Sequence, residues 1–286
     1  MKHIAIYMIT GMLSWSSWAQ AAVSESAVES LAQVIAARSD SDKARDAARH
    51  PATTIAFFRI EPGMVVAEGL PGKGWYSNIL ANYLGSEGTL YGINYMDRMW
   101  PLFGFMSDDQ VKENMSGTAK FPRMIKGFTD NGVAARGFTF NTTPSDIAGT
   151  VDRVILIRAI HNLNRFEANS GTLSQALATV RAILKEDGLV GVVQHRLAET
   201  AATEGADGSR GYMKKSDLVS SFKVAGFELI DSSEINANPK DLPSDTDLVW
   251  RLPPTLMGSK DNAEQSAAMQ AIGESDRMTL LFRKVP

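Results

Sequence analysis

The chain of 286 residues is long enough for two average domains, but α/β folds of this length often form one unit, so one domain with elaborations is expected. Hydrophobic residues make up 44% of the sequence and charged residues 21%, which excludes collagen-like, disordered and multi-span membrane proteins. The net charge of -3 offers no general attraction to nucleic acid, and the absence of cysteine excludes disulfides, thiolate metal sites and a cysteine nucleophile.

The first 21 residues have the pattern of a secretory signal peptide. Lys2 and His3 precede an apolar run from Ile4 to Leu13, and Ala19-Gln20-Ala21 has the small-x-small pattern after which signal peptidase cuts. The apolar run is too short to span about 30 Å of hydrocarbon. We expect cleavage near Ala21, a mature protein in the periplasm or outside the cell, and no stable membrane anchor after cleavage. An uncleaved anchor and an amphipathic first helix are the alternatives.

Residues 22–60 are predicted to form an N-terminal helical arm. Apolar side chains recur at helical spacing between Val28 and Ile35, and a charged stretch follows over residues 42–49. Pro51 is expected to stop this helix. The charged stretch is expected to be a solvated helix face, with closure over a pocket as the alternative.

Residues 61–286 alternate between apolar runs and helical patterns, which predicts an α/β domain with a Rossmann-like, doubly wound and mostly parallel sheet of about seven strands. The predicted strands cover residues 64–67, 89–93, 137–140, 151–160, 189–193, 227–230 and 278–282. A helix over residues 173–184 is expected to be stopped by Gly188. The segment 95–131 contains a possible helix from Ser107 onward, and residues 236–260 are interpreted as an ordered insertion near the pocket.

Polar residues and glycines follow several of these strands. Glu68 ends the first predicted strand and precedes a glycine-rich turn, Asn94 ends the second, and His161 and His195 end the fourth and fifth. In doubly wound sheets the carboxyl ends of the strands meet at the ligand-binding edge, so these side chains are expected to lie together there. A glycine-rich turn and polar strand ends are also ordinary features of α/β folds.

The spacing favours a nucleotide-like cofactor but disfavours two common ones. A P-loop requires Gly-Lys-Ser/Thr, whereas Lys73 is followed by Gly74, and a dinucleotide fingerprint starting at Gly72 would need glycine where Ser77 stands. Glu68 could accept hydrogen bonds from a cofactor amine. Asn94 lies 26 residues after it, where an acidic residue that binds ribose hydroxyls is usual.

Four separated motifs occur in order along the mature chain. They are Glu68-Gly69-Leu70-Pro71-Gly72-Lys73-Gly74-Trp75-Tyr76-Ser77, Ile160-His161-Asn162, Gly191-Val192-Val193-Gln194-His195-Arg196 and Val249-Trp250-Arg251-Leu252-Pro253-Pro254. Together they resemble the predicted bacterial class I S-adenosylmethionine-dependent methyltransferases that carry export signals. The wider class I pattern has glycine at the position of Leu70 and an acid at that of Asn94.

The resemblance implies that S-adenosylmethionine is the cofactor and that a small molecule of undefined identity is the methyl acceptor. The cofactor-binding residues would be Glu68, Gly69, Pro71, Gly72, Gly74, Trp75, Asn94 and His161. Two other functions stay open: a catalytically silent protein that binds a small ligand in the same crevice, and an α/β enzyme with another nucleotide-like cofactor.

Candidate catalytic residues follow from the chemistry of methyl transfer, which requires alignment and, for some acceptors, removal of a proton. His161 and His195 are the candidate general bases, since an unperturbed histidine titrates near pH 6.5. The alternative is that each only holds a loop by hydrogen bonding. Trp75 could attract the cofactor sulfonium by a cation–π contact or could belong to the core. No metal site is expected, because histidine pairs at ligand spacing are lacking.

Overall fold

The structure, a computed structural model, describes residues 23–285, so the predicted signal peptide lies outside the described residues. Four helices form the N-terminal arm. They are α1 (Glu25–Ala37), α2 (Asp40–Lys43), α3 (Asp46–Arg49) and α4 (Pro51–Phe57). The side chain of Ser24 caps α1 and that of Ser39 caps α2, each by accepting a hydrogen bond from a backbone N–H of the first turn. The predicted helical arm is therefore present, but it consists of short segments.

Two expectations about the arm were wrong. Pro51 begins α4 instead of ending a helix, because the first helical position does not need the N–H that proline lacks. His50, with φ of 42°, makes the break that precedes it. The charged stretch is not a solvated face, since the Arg49 side chain is 3% exposed and lies 3.7 Å from the carboxylate of Glu274.

The remaining residues form one sheet flanked by helices. The strands are β1 (Val65–Gly69), β2 (Thr89–Asn94), β3 (Ala134–Thr139), β4 (Val151–Ile157), β5 (Leu184–Leu197), β6 (Met213–Lys214), β7 (Phe227–Ser233) and β8 (Arg277–Lys284). Seven of them lie in the order β3-β2-β1-β4-β5-β8-β7, and the short β6 pairs with β5 off this path. Only β8 runs antiparallel to its neighbours β5 and β7 in the part of the chain that the structure describes. The predicted Rossmann-like, mostly parallel sheet of about seven strands is confirmed.

Eight α-helices complete the described fold after β1. They are α5 (Trp75–Leu84), α6 (Asp108–Met115), α7 (Gly117–Phe128), α8 (Ile160–Asn164), α9 (Glu167–Ser170), α10 (Thr172–Ile183), α11 (Lys215–Val224) and α12 (Ala263–Ile272). Short 3-10 helices cover Asp97–Phe103, Ser145–Ile147, Thr203–Gly205 and Val249–Arg251. Within residues 23–285 no helix has the length and apolar character that crossing a membrane requires.

Apolar side chains alternate between the two faces of the sheet, as the two-residue period of strands requires. Val66 and Ile155 face a cluster formed with α1, α4, α5 and α7. Ala67 and Val154 face the opposite cluster, which includes α10 and α11. The arm thus covers one face of the sheet, next to α5.

Several predicted boundaries differ from those observed, and one difference moves a candidate site residue. The predicted strand 151–160 ends at Ile157, because Arg158 adopts a left-handed conformation with φ of 56° and α8 begins at Ile160. His161 therefore lies in the first turn of a helix. Gly188 does not stop a helix but lies inside β5, since Leu184 already pairs with Val151 and a register shift follows.

Candidate functional site

The candidate site lies where the strand order reverses. The chain proceeds from β1 to β2 and β3 on one side and continues with β4 and β5 on the other side of β1. Ligands of doubly wound sheets bind outside the carboxyl ends of the strands at such a point. The loop after β1 is fixed here by the Leu70 N–H, which donates to the carbonyl of Ile93 at 2.7 Å. Leu70 has φ of 56° and Gly72 has φ of 59°, so the loop turns sharply away from the sheet.

A cleft of about 510 Å³, called here the cofactor cleft, opens beside this loop. Its walls come from the loop, the end of β2 and the segment from α6 to α7. The lining residues include Pro71, Gly72, Lys73, Asn94, Tyr95, Trp100, Glu113, Thr118 and Lys120. The loop after β1, the end of β2 and the segment from α6 to α7 therefore line one concave space.

Two glycines allow α7 to lie directly on the sheet and so form the cleft wall. A Cβ atom at Gly92 would lie 2.4 Å from the Phe121 ring. A Cβ atom at Gly137 would lie 2.0 Å from the Thr118 carbonyl oxygen. Because real Cβ atoms do not approach other atoms so closely, only glycine permits this packing.

The polar groups of the cofactor cleft include donors and one carboxylate. The Asn94 Oδ1 accepts a hydrogen bond from the Tyr95 N–H at 2.8 Å, which leaves its amide nitrogen as a donor. Glu113 pairs with Lys120 at 2.5 Å, and both side chains are largely exposed. The Nε1 of Trp100 is buried without a hydrogen-bond partner among residues 23–285.

Glu68 does not contribute to the lining of this cleft. Its side chain is buried on the face of β1 that packs against α5, and it accepts a hydrogen bond from the Ser77 hydroxyl at 2.5 Å. Burial raises the pKa of Glu68 to about 7. Gly69 follows Glu68 in β1. A Cβ atom at Gly69 would lie 2.4 Å from the Leu156 side chain, so this glycine is required by the packing of β1 against β4. Glu68 and Gly69 therefore support the glycine-rich loop from the end of β1.

Trp75, the first residue of α5, turns towards the arm. The guanidinium of Arg49 lies 4.4 Å from its ring centroid and that of Arg38 lies 5.2 Å away. The indole Nε1 donates to the carbonyl of Asp42 at 3.1 Å. The cations over this ring belong to the protein itself, so Trp75 docks the arm beside the glycine-rich loop.

His161 and His195 lie together, with ring centroids 5.3 Å apart. Gln194 determines the tautomer of His161, because its Nε2 donates to the carbonyl of Gly211 at 2.9 Å, so its Oε1 is the atom that faces the imidazole. The Oε1 accepts from the backbone N–H of His161 and lies 3.2 Å from the imidazole Nδ1. The Nδ1 of His161 therefore carries the proton, and Nε2 keeps its lone pair.

Burial lowers the pKa of both histidines, so both are neutral at pH 7. Burial, together with the nearby charges of Arg158 and Arg165, lowers the pKa of His161 to about 4. The hydrogen bond to Gln194 acts in the opposite direction and raises this pKa, but it does not outweigh burial. Burial and the neighbouring His161 hold the pKa of His195 well below its usual range. The Nδ1 of His195 lies 2.6 Å from the Ser275 hydroxyl. His161 thus presents an unprotonated Nε2, whereas His195 ties β5 to the segment before β8.

A second cavity of about 530 Å³, called here the aromatic pocket, adjoins the cofactor cleft and shares Tyr95 and Trp100 with it. Its other lining residues include Phe103, Phe105, Met106, Asn162, Arg165, Leu248, Trp250 and Met257. The ring centroid of Trp250 lies 6.1 Å from that of His161. The aromatic pocket therefore extends from the cofactor cleft towards His161.

The loop that carries Trp250 is held by a buried polar network. Tyr212 is fully buried and donates its hydroxyl hydrogen to the carboxylate of Asp241, at 3.0 Å from Oδ2. Arg251 donates to the Tyr212 oxygen and to Asp241 Oδ1, each at 3.0 Å. Tyr212 is therefore an anchor for the insertion and does not line either cavity.

Several lining residues escaped sequence reasoning because they lie in the segment 95–131. Tyr95 lies directly after β2, and Trp100, Glu113, Thr118 and Lys120 belong to a 3-10 helix and to α6 and α7, none of which has a signature spacing. A usable signal was the concentration of aromatic residues directly after β2, at the edge where ligands bind. No group of three or more metal-ligating side chains occurs in the described part of the chain.

Comparisons with known proteins identify the fold. No family model matches the sequence, and no curated protein matches it. The [4+2]-cyclase SpnF is similar in structure, with a TM-score of 0.51 and 15% identity over 84% of this chain and 81% of that chain. An S-adenosylmethionine-dependent methyltransferase from Aquifex aeolicus has a TM-score of 0.46 and 15% identity over 72% of this chain and 93% of that chain. The 1,6-didemethyltoxoflavin-N1-methyltransferase from Burkholderia thailandensis, with bound 1,6-didemethyltoxoflavin and S-adenosylhomocysteine, has a TM-score of 0.44 and 11% identity over 91% of this chain and 89% of that chain.

The strand order identifies the architecture. An antiparallel β8 inserted between β5 and β7 is typical of class I methyltransferases. The chain therefore has the Rossmann-like class I methyltransferase fold, with helices added at its N-terminus.

Proposed function

We propose that this protein is an S-adenosylmethionine-dependent methyltransferase that transfers a methyl group to a small molecule. The observation that carries the proposal is the cofactor cleft, a cavity of about 510 Å³ at the switch point of a class I methyltransferase fold. The glycine-rich loop, the end of β2 and α7 all contribute to it.

The groups around the cofactor cleft fit S-adenosylmethionine. Helix α5 begins at Trp75 with no side-chain cap, so its first backbone N–H groups and the Lys73 ammonium suit the carboxylate of the methionine part. The amide nitrogen of Asn94 can donate to a ribose hydroxyl, and the Glu113 carboxylate can accept from one. Glu113 thus provides the acid that the chain lacks at position 94.

The protein's own contribution to the reaction is alignment and proton removal. Bound S-adenosylmethionine supplies an electrophilic methyl group on a sulfonium sulfur, which leaves with the electron pair of the broken carbon–sulfur bond. The aromatic pocket holds the acceptor beside the cofactor cleft, so that the two reactants meet in line. His161 lies beside the aromatic pocket, next to Trp250, and its Nε2 is the candidate acceptor of the proton that a hydroxyl or amine loses as its new bond to carbon forms. His195 lies beside His161, and neither histidine belongs to the lining of the two cavities.

Calorimetry of the chain from residue 22 with S-adenosylmethionine, S-adenosylhomocysteine and NAD tests the proposal. The first two should bind and NAD should not. Gly72→Val should abolish binding, because a branched side chain would project into the cofactor cleft. Gly149→Val is the matched control, since this glycine has a similar φ of 67° and equally open surroundings but lies outside the cleft. Absence of binding at millimolar S-adenosylhomocysteine would reject the proposal, and binding of NAD alone would favour another nucleotide-like cofactor.

We also propose that the mature protein acts outside the cytoplasm. The support is the pattern of residues 1–21, in which two basic residues, an apolar run and a small-x-small site follow one another. A silent ligand-binding protein on the same fold is the alternative function, and it would bind S-adenosylhomocysteine without turnover of S-adenosylmethionine.

A further inference from the structure

We propose that the aromatic pocket binds a planar, largely apolar molecule that carries an anionic group, and that this is the chemical class of the acceptor. The role as acceptor rests on the proposed function, but the binding itself does not. The inference is argued from the walls of the pocket, from its unpaired polar groups and from its connection to the cofactor cleft.

The walls present aromatic rings and exposed apolar side chains. The ring of Phe103 lies 5.4 Å from that of Tyr95 and 5.2 Å from that of Phe166, both in edge-on arrangements. Around the opening, Phe105 is 73% exposed, Met257 49% and Leu248 39%. Such a concentration of exposed large apolar side chains around one cavity marks a binding site. Flat apolar ligands gain the most from packing against rings.

The pocket also contains a cation that has no partner of opposite charge. The guanidinium carbon of Arg165 lies 5.2 Å from the Phe166 ring and 6.0 Å from the Phe103 ring, and Arg165 lines the pocket. Among the side chains that the structure describes, which do not include that of Glu204, no carboxylate forms an ion pair with it. A planar guanidinium against rings recognises carboxylates and similar anions well. The anionic group of the ligand is therefore expected at Arg165.

A second polar group lacks a partner at the boundary between the two cavities. Trp100 lines both of them, is 8% exposed, and its Nε1 has no hydrogen-bond partner in the described residues. A buried N–H without a partner is costly, so a ligand atom that accepts a hydrogen bond would satisfy it. An oxygen or nitrogen of the bound molecule is expected at this indole.

A small molecule is the occupant that the dimensions favour. The volume of about 530 Å³ is within the range of small-ligand pockets, which is roughly 300–1,000 Å³. The pocket continues into the cofactor cleft at Tyr95 and Trp100 and approaches His161 at Trp250. A ligand of this size would therefore have one end near the cofactor and one side near His161.

Two fluorescent probes that differ in charge test the proposal. 1-Anilinonaphthalene-8-sulfonate combines a planar naphthalene ring and a phenyl ring with an anionic sulfonate, and N-phenyl-1-naphthylamine is the same ring system without the sulfonate. Arg165→Gln should weaken binding of the anionic probe about tenfold and change that of the neutral probe less than about twofold. Phe105→Ala, a change at an exposed side chain that should leave the fold intact, should weaken both probes about threefold or more. Val224→Ser is the control, because Val224 is an exposed apolar residue in the cleft between α10 and α11.

The results separate this inference from the proposed function. Equal affinity of the anionic probe for the wild type and Arg165→Gln would overturn it, and so would a loss of affinity in Val224→Ser as large as that in Phe105→Ala. If S-adenosylhomocysteine binds by calorimetry while the Arg165 substitution has no effect, only this inference fails. If the probes respond as expected while S-adenosylhomocysteine does not bind, the pocket stands as a ligand site and the methyltransferase proposal fails.

Discussion

Glu113 and Asn94 line the cofactor cleft from different elements, and their side chains differ in charge. An amide at the end of β2 would leave the ribose of the proposed cofactor without a carboxylate from that strand, whereas Glu113 lines the same cleft from α6. A hydrogen bond to a charged group contributes about 1.5–3 kcal/mol, more than a bond to a neutral amide. We infer that the sequence distributes the recognition of the diol over two segments.

Replacing Glu113 with glutamine should therefore weaken S-adenosylhomocysteine binding about tenfold, because the strong acceptor becomes a neutral one. Isothermal titration calorimetry measures the change. Asp109→Asn is the matched control on the same helix, since Asp109 lies outside the cofactor cleft and should leave the affinity within about twofold. An unchanged affinity in Glu113→Gln would show that another group holds the ribose.

Among the elements, the helical arm is joined to the segment before β8 by one buried carboxylate, in addition to its apolar contacts with the sheet. Glu274, which precedes β8, accepts from Arg45 Nε at 2.6 Å and from Arg277 at 3.2 Å, and lies 3.7 Å from Arg49. Burial, together with Arg158 and Arg45, lowers the pKa of Arg49 to about 9. The arm therefore joins the sheet through a buried cluster in which positive charge predominates.

Glu274→Gln should lower the free energy of unfolding by roughly 3–5 kcal/mol, because it leaves the buried guanidinium groups without their shared partner. Urea denaturation measures this change. Glu228→Gln removes the partner of Arg283 from an exposed pair on β7 and β8, and it should cost less than about 1 kcal/mol. Similar losses in the two variants would contradict the assignment of Glu274 as the anchor of the arm.

Elements were predictable from sequence where an apolar pattern was long and bounded. The strand predicted over residues 89–93 was found as β2, because its apolar run is bounded by Gly88 and Asn94. The short arm helices were not, since charged ion pairs and capping serines, not an apolar stripe, determine their ends. Gly188 was misread because helix α10 ends through the pairing of Leu184 with Val151, a contact between residues distant in sequence.

The candidate site was predictable only in part for the same reason. The loop at Pro71 and Gly72 and the strand end at Asn94 were found from local pattern, and they line the cofactor cleft. The orientation of Trp75 could not be found, because it depends on Arg49 from the arm. Trp100 and Glu113 were missed, since only the packing of α7 against Gly92 closes the cleft around them.

For the whole molecule, two buried groups make opposite contributions to the pH dependence of stability. The pKa of Glu68 is about 7 in the native protein and near 4.5 in the unfolded chain. The native protein therefore binds more protons between these pH values, and the contribution of Glu68 to the free energy of unfolding falls as pH rises through this range. The pKa of His161 is about 4 in the native protein and near 6.5 in the unfolded chain. The unfolded chain therefore binds more protons between these pH values, and the contribution of His161 to the free energy of unfolding falls as pH decreases through this range. The two effects largely cancel between pH 5 and 6.

Single substitutions should reveal how each group alone changes the free energy of unfolding with pH. Between pH 5 and 6, Glu68→Gln should make the free energy of unfolding rise more steeply with pH, by about 1 kcal/mol per unit. His161→Gln should change the slope by a similar amount in the opposite direction. Denaturant titrations at three pH values measure both, and the slopes do not depend on how much each substitution destabilises the protein overall. Parallel curves for the two variants would contradict the burial of these groups in their neutral forms.

The position of β8 determines when the sheet can be completed during synthesis. Residues 277–284 are the last strand in the chain, yet they occupy an interior position and pair with β5 on one side and β7 on the other. Until the ribosome has made them, β5 has an open edge and β7 has no neighbour in the sheet, so both expose unpaired backbone groups that can associate with other chains. At about 5–20 residues per second, this strand is made in roughly one second. We expect the sheet to be completed only after residues 277–284 have been made and inserted between β5 and β7.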